Sequence, residues 1–420
     1  MVDLTRASEP SAALPQSSVR LAYLVSHPIQ YQAPLLRRIA QEPDIDLTVL
    51  FGSDFSLRGY QDAGFGVQVA WDVPLLEGYR HEFLRPLRDT GAVSPLSPIS
   101  RGIFRRLQTS EGSPAFDALW VHGYAGVNAL VAILAANALG IPVLLRAESW
   151  LADRERSPWK LAAKRLFLSL LQPAIAATLP IGSRNRDYWR HYLGPQMPQF
   201  LMPYAVDNNF FAQRAAASSS QHHQLRAELE LAPDRPVILF ASKLQPRKHA
   251  DHLLEAYRRL CAATPAARQP YLIFVGDGED RPRLESLAQQ HGLSGIRFTG
   301  FRNQSELPRF FSLADVFVLP SQHEPWGLIV NEAMSAGCAV IVSSDVGAHP
   351  DLITNGVEGF VYPFGDLDAL THALGCTLED PAAARRMGEA AKLRIAGWNF
   401  EADVHGLRRA LAQVTHKLVP

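Results

Sequence analysis

Cysteine is nearly absent. The 420 residues hold three, Cys261, Cys338 and Cys376, and no two of them form a C-x-x-C pair. That removes a disulfide framework and a thiolate zinc site, and it fits a reducing compartment. Net charge is absent too, with 41 Lys and Arg against 41 Asp and Glu. A chain balanced in this way is no general nucleic-acid binder, although a local basic site stays open. Long apolar runs are missing, and none reaches the roughly 18 residues of a membrane span. Residues 1–18, rich in Ser, Ala and Pro, lack the apolar centre of a signal peptide and read as a disordered tail. What remains is a globular composition, 47% hydrophobic and 20% charged, long enough for two domains.

Short apolar runs alternate with helical patterns along the whole chain. In the first half the strand candidates are VRLAYLVSH, IDLTVLF, ALWVHGY, IPVLLRAES, AATLPIGS and FLMPYAV, with helical stretches at 32–41, 126–139 and 158–171. A small, polar segment, RAAASSSQHHQ (214–224), interrupts the pattern and reads as a linker. The second half restarts with PVILFASK, PYLIFVGDG, IRFTGF, DVFVLPSQ, AVIVSSDVG and GFVYPF. Helical patterns at 249–263, 280–291, 305–313, 327–337 and 366–376 separate them. Such alternation predicts parallel sheets buried on both faces, so the chain reads as two doubly wound α/β units in tandem. Ligands in these folds bind beyond the carboxyl ends of the strands, and two such units form a cleft between them.

Chemistry is therefore sought at strand ends. FASKLQPRKH puts Lys243 and Lys248 between a strand and a helix. FVGDG puts Gly276 and Gly278 where backbone can approach a ligand closely; a plain tight turn is the other reading. VLPSQHEPWG leads through Glu324, Pro325 and Trp326 to a helix N-terminus, where the N–H groups of Gly327 and Leu328 suit an anion. Two lysines and such an N-terminus can neutralise a diphosphate, although both lysines also read as solvated loop residues. Glu332 lies in the second turn of that helix. Carboxylates accept paired hydrogen bonds from vicinal hydroxyls, which suits Glu324 to a sugar and Glu332 to a ribose. A helix-capping carboxylate is the alternative for Glu324. His222 and His223 lie together in the polar linker, and no metal is expected there.

The stretch LPSQHEPWGLIVNEAMSAGCAVIVSSDVGAHPDLITNGVEGFVYPFGD resembles the donor-binding motif of the GT-B, family 4 retaining glycosyltransferases. Glu324 and Glu332 match the E-x7-E pair of that family. FASKLQPRKHADHLLEAY and FVGDGEDRPRLESLA resemble its phosphate loop and the following unit, so the resemblance covers roughly residues 235–375. It implies that Glu324 contacts the donor sugar, Glu332 the ribose, and Lys243 and Lys248 the diphosphate. Where the family commonly has Gly-Arg this chain has Ser242-Lys243, keeping the charge without the bidentate fork of arginine. SHPIQYQAPLLRRIA resembles a bacterial subgroup with an H-P-I-Q-Y start, which brings His27, Gln30 and Tyr31 to the cleft. His122 in LWVHGYAG occupies a strand end where family members often place a histidine near the donor sugar; a core histidine is its other reading. LLRAES adds Arg146 and Glu148.

The implied architecture is an acceptor domain over 19–209, a linker over 210–234, a donor domain over 235–394, and a C-terminal helix over 395–420 crossing back. The implied activity moves a sugar from a nucleoside-diphosphate sugar to a hydroxyl on a glycan, a lipid-linked or a small-molecule acceptor, with retention at the anomeric carbon. A nucleotide-sugar epimerase or hydrolase and a non-catalytic binding subunit are the competing readings. No cofactor or metal is expected beyond the nucleotide sugar. The two D-x-D matches, Asp44–Asp46 and Asp366–Asp368, sit before a strand and at a helix start, where carboxylates are ordinary caps. The expected location is cytoplasmic. Arg156, Lys160 and Lys164 recur at i, i+4, i+8 beside an apolar side, so 156–171 reads either as an ordinary helix with a solvated basic edge or as a peripheral membrane contact.

Overall fold

The protein is described here by a computed structural model, covering residues 18–418 apart from Ala63. The tail expected over 1–18 lies almost wholly outside the described residues. Two six-stranded sheets dominate. The first has the order Ala177–Thr178, Val143–Arg146, Ala118–His122, Val19–Val25, Ile45–Phe51, Arg80–Phe83, with every pairing parallel. The second runs Ile296–Phe298, Tyr271–Val275, Val237–Ala241, Val316–Leu319, Ala339–Ser343, Gly359–Tyr362, again all parallel. Helices cover both faces, which is why Val237–Ala241 and Tyr271–Val275 are buried at every position and read as unbroken apolar runs. This is the GT-B arrangement of two Rossmann-like domains.

In each sheet the winding direction reverses beside the first strand. The reversal lies between Val19–Val25 and Ala118–His122 in one domain, and between Val237–Ala241 and Val316–Leu319 in the other. Such switch points open a crevice at the carboxyl ends of the strands. The loops that leave these four strands carry His27, the turn after His122, the Lys243–Lys248 segment and Glu324.

The final helix, Phe400–Thr415, packs on the first domain. Its Val404, Leu407 and Leu411 are buried in the same core as Val19, Leu21 and Tyr23 of the first domain. Gly406 permits the approach, since a Cβ there would lie 2.0 Å from the Leu201 carbonyl oxygen.

Two expectations are corrected, and one feature is new. FLMPYAV forms no strand; residues 200–206 run alongside Ala177–Thr178 through bonds such as Met202 N–H to Pro180 O at 3.0 Å, and Pro203 has no N–H to continue a ladder. The polar linker is helical, with Asn208–Ser218 and His222–Glu228 packed on the second domain. Phe211 and Leu225 are buried in its core beside Phe317 and Val330. Between Ile45–Phe51 and Ala118–His122 the first domain also makes an unforeseen excursion, including the antiparallel pair Tyr60–Asp62 and Val67–Val69.

Candidate active site

A cavity of about 500 Å³ opens between the domains at both switch points. Its C-terminal wall begins with the segment that follows Val316–Leu319. Glu324 is clamped there by backbone bonds: its N–H donates to Asp345 O at 3.0 Å and its carbonyl accepts from Gly347 N–H at 2.9 Å. Gly327 then turns the chain with φ 92°, a left-handed conformation that favours glycine, and Leu328–Ala336 starts as a helix pointing its N-terminus into the cavity. Trp326 lines the same loop but is only 2% exposed. Its indole N–H donates to Asn331 Oδ1 at 2.9 Å, and its ring stacks on Trp398. Its main task is to fix the loop.

Glu324 does not stand alone. Its Oε2 accepts a short hydrogen bond from the Lys248 ammonium and a second from Arg247 Nη1 at 3.1 Å. Burial works against ionisation of Glu324, but the charges of Lys248 and Arg247 outweigh it and hold the carboxyl below its ordinary range. Lys248 itself is buried. Glu332, one helical turn further in, is the opposite case. Among the described residues no partner reaches its Oε2, and burial raises its pKa to about 8.

Lys243 lines the cavity but is not free. Its Nζ donates to both oxygens of Asp62, at 2.7 and 2.9 Å, so the two domains are tied across the cleft at this point. Gly276 is on the wall, with φ 135°, and a Cβ there would lie 2.0 Å from Ser242 O. Gly278 is not among the wall residues. Its φ is 152°, and a Cβ would meet Leu244 O at 2.3 Å and Gly64 O of the other domain at 2.9 Å. Both glycines are required by backbone packing.

The N-terminal wall carries His27, Gln30, Tyr31 and Glu148. His122 stands behind it. Tyr23 O–H donates to Gln32 Oε1 at 2.9 Å, and Gln32 Nε2 lies 3.4 Å from His122 Nδ1. That arrangement leaves the His122 proton on Nε2, 3.5 Å from Glu148 Oε1. Tyr31 O–H, at 3.3 Å, and Tyr204 O–H donate to the same oxygen. Burial opposes ionisation of Glu148, and these donors overcome it, keeping the carboxyl below its usual value. His27 stacks on Phe55 and is neutral at pH 7, since burial and then His122 lower its pKa to about 4. Arg146 is corrected outright as a cleft residue. It is 3% exposed and binds Met202 O, Pro203 O and Asp403 of the returning helix, which makes it a structural tie.

Several site residues were not foreseen. Arg247 sits within the very loop that gave Lys243 and Lys248, and a third cation in KLQPRK was the available signal. Tyr204, Asp62 and the aromatic end of the cavity left no local signal. At that end Phe65 of the excursion meets Phe301 edge-on at 4.8 Å, and Asn303 Nδ2 donates to Ala70 O at 2.6 Å.

Residues 221–394 match the family model described as glycosyl transferases group 1. Alpha-D-kanosaminyltransferase of Streptomyces kanamyceticus is 28% identical over 287 residues, covering 66% of this chain and 72% of that protein. D-inositol 3-phosphate glycosyltransferase of Streptomyces avermitilis is 35% identical over 187 residues, 42% of this chain; the match spans only 40% of that protein's length. Among solved structures, HepE of Anabaena in complex with UDP superposes with a TM-score of 0.70 at 16% identity, covering 94% of this chain and 99% of that one, a likeness of fold. Residues 221–394 thus match a glycosyl transferases group 1 domain, the whole chain shares the GT-B fold, and these matches together support a transferase enzyme.

Proposed function

We propose that the protein transfers a glycosyl unit from a nucleoside-diphosphate sugar to a hydroxyl, with retention of anomeric configuration. The observation that supports this best is the grouping of Lys248 and Arg247 around Glu324, at the N-terminus of Leu328–Ala336, in a cavity shared by both switch points. Fixed cations and helix N–H groups stabilise charge as it develops on a departing diphosphate. In this reading Glu324 faces the donor sugar, Glu332 the ribose, and Lys243 reaches the diphosphate after releasing Asp62. The C1–O bond to the diphosphate breaks while the acceptor oxygen bonds to C1 from the same face. The acceptor proton passes to an oxygen of the leaving diphosphate, so no enzyme nucleophile is required. The UDP bound by the HepE neighbour supports a nucleotide donor.

No divalent ion has a part in this reading. Asp44 and Asp46 are paired with Arg408 and Arg80 away from the cavity. Asp366 caps Leu367–Leu378, and Asp368 pairs with Arg259. His249, Asp251 and His252 bring possible ligand atoms within 4.8 Å of one another, but Asp251 already faces Arg283 at 3.3 Å.

Peripheral membrane contact belongs to the same proposal. Among the described residues no helix is long and apolar enough to cross a membrane. Pro158–Leu171, however, buries only Leu168 and Leu171 and exposes Trp159, Leu166 and Leu170 at 68, 62 and 73%. The basic row expected there is broken, because Lys164 turns inward over the rings of Tyr188 and Tyr192. Lys160 and Arg165 remain beside the apolar stripe, a pattern suited to an anionic lipid surface.

The deciding experiment incubates the protein with a panel of nucleoside-diphosphate sugars, with and without hydroxyl acceptors, and follows diphosphate release. Release that depends on acceptor and yields a glycoside supports transfer. Release of free or isomerised sugar without acceptor would instead identify a hydrolase or epimerase.

A further inference from the structure

The two walls of the cavity differ in charge. Among the described lining residues every Lys and Arg (Lys243, Arg247, Lys248 and Arg302) belongs to the C-terminal domain. The N-terminal domain contributes two carboxylates, Asp62 and Glu148, beside neutral His27, Gln30 and Tyr31. Asp62 is engaged with Lys243, which leaves Glu148 as the carboxylate available on that wall.

Glu148 is held by one oxygen only. Tyr31, Tyr204 and His122 all converge on Oε1. No hydrogen bond from the described residues reaches Oε2, although the side chain retains 34% exposure on the cavity wall. Three donors on one oxygen fix the plane of the carboxylate and leave the second oxygen pointing to an outside partner. The nearby cations of this domain are committed elsewhere. Arg146 is bound to Asp403 and two carbonyls, and Arg184 donates to Ser344 O and packs over Trp150.

We propose that Glu148 is the positioning residue for the acceptor, and that the acceptor's reacting end is a neutral or amine-bearing polyol. A hydroxyl or ammonium group donates to Glu148 Oε2, whereas a phosphate, sulfate or carboxylate at that end meets a fixed negative charge on a wall that, among the described residues, lines the cavity with no Lys or Arg of its own. This rests on the transferase reading above and names its substrate class. The donor domain collects the cations for a diphosphate, and the acceptor wall turns anions away, so a nucleotide sugar and an anionic acceptor do not compete for one site.

The test uses the full-length protein in two steps. Calorimetry first measures nucleoside-diphosphate binding by the wild type and by Glu148→Gln. Absence of binding to the wild type would defeat the donor reading itself, and this proposal with it. With binding established, matched acceptors are assayed under a working donor: myo-inositol against D-inositol 3-phosphate, glucose and glucosamine against glucose 6-phosphate and glucuronate, and p-nitrophenyl glycosides against their sulfated forms. The expected result is transfer to neutral or amino members at least tenfold better, in kcat/KM, than to their anionic counterparts. Glu148→Gln should leave diphosphate binding within twofold, raise the acceptor KM, and narrow the neutral-to-anionic preference at least fivefold. Equal or better use of the anionic members overturns the proposal. So does a preference that Glu148→Gln leaves unchanged, or transfer to none of the neutral and amino members while diphosphate binding persists.

Discussion

Glu332→Gln should stabilise the free protein, by an amount that grows as pH rises from about 5 to 8. Glu332 is 9% exposed, its Oε2 has no partner among the described residues, and burial raises its pKa from an ordinary 4.5 to about 8. Between those two values the unfolded chain has released its proton while the folded one retains it. Stability therefore falls as pH rises through this window, by up to about 1.4 kcal/mol per unit, and the full penalty is present above pH 8. A site that stayed dry would lose about 5 kcal/mol in total. Glu332 faces a cavity open to water, and hydration of the carboxylate reduces this to about 2–3 kcal/mol. Glutamine has the shape of the protonated acid and carries no such penalty. The assay is thermal unfolding of both proteins at pH 5, 6.5 and 8. Near pH 5 the two should melt together. At pH 8 the variant should melt about 5–10 °C higher, taking about 2–4 °C per kcal/mol for a domain of this size. A difference that is the same at all three pH values would refute the argument, since a packing effect has no reason to track the proton.

Asp62→Asn should tighten nucleoside-diphosphate binding about fivefold, because a partly buried ion pair worth about 1 kcal/mol no longer competes for Lys243; calorimetric affinity equal to or weaker than wild type would show that Asp62 and the ligand do not share that ammonium. Lys248→Ala should lower kcat/KM for the donor by at least about 100-fold, since it removes a charge at the leaving group and leaves Glu324 with Arg247 alone. Transfer by the wild type should persist in excess EDTA, and complete loss that Mn²⁺ or Mg²⁺ restores would overturn the cation-and-helix account. Vesicles of anionic phospholipid should co-sediment with the wild type at low salt and not with Trp159→Ser/Leu170→Ser, and failure of the wild type to bind would remove the membrane contact.

The fold was legible where burial imposes its pattern on both faces of a sheet. All six strands of the C-terminal sheet coincide with apolar runs in the sequence, and so do the inner strands of the N-terminal sheet. Arg80–Phe83 was not legible. It lies at a sheet edge, and its sequence RHEF has three polar residues with no alternation to mark it. FLMPYAV failed for the reverse reason. Its apolar residues are buried by the junction between domains, and a strand and a buried extended crossing have the same composition. The polar stretch 214–224 was misread because composition alone does not separate a linker from a helix that buries only a few positions, here Ala215 and then Leu225.

The site divides along the same physical line. Lys243, Lys248, Glu324 and Glu332 were found because each lies a few residues from a strand end or within the helix that follows, and that proximity is written in the local order of the chain. What local order does not contain is pairing between segments far apart in the chain. Asp62 reaches Lys243 across 181 positions of sequence. Tyr204 reaches Glu148 across 56. These partners alter what the recognised residues can do. Two lysines read as free phosphate ligands are, in the folded protein, one held by Asp62 and one by Glu324. The reason is electrostatic. A cavity that gathers cations for a diphosphate would, without ligand, leave them desolvated and mutually repelling, so carboxylates from both walls occupy them. A diphosphate can take over the ammonium held by Asp62 at modest cost, because that pair is only partly buried. It cannot displace Glu324 from Lys248, whose pair is buried and braced by Arg247. The first lysine is therefore an exchangeable contact and the second a fixed one, a distinction that depends on the partner each lysine meets in the folded chain.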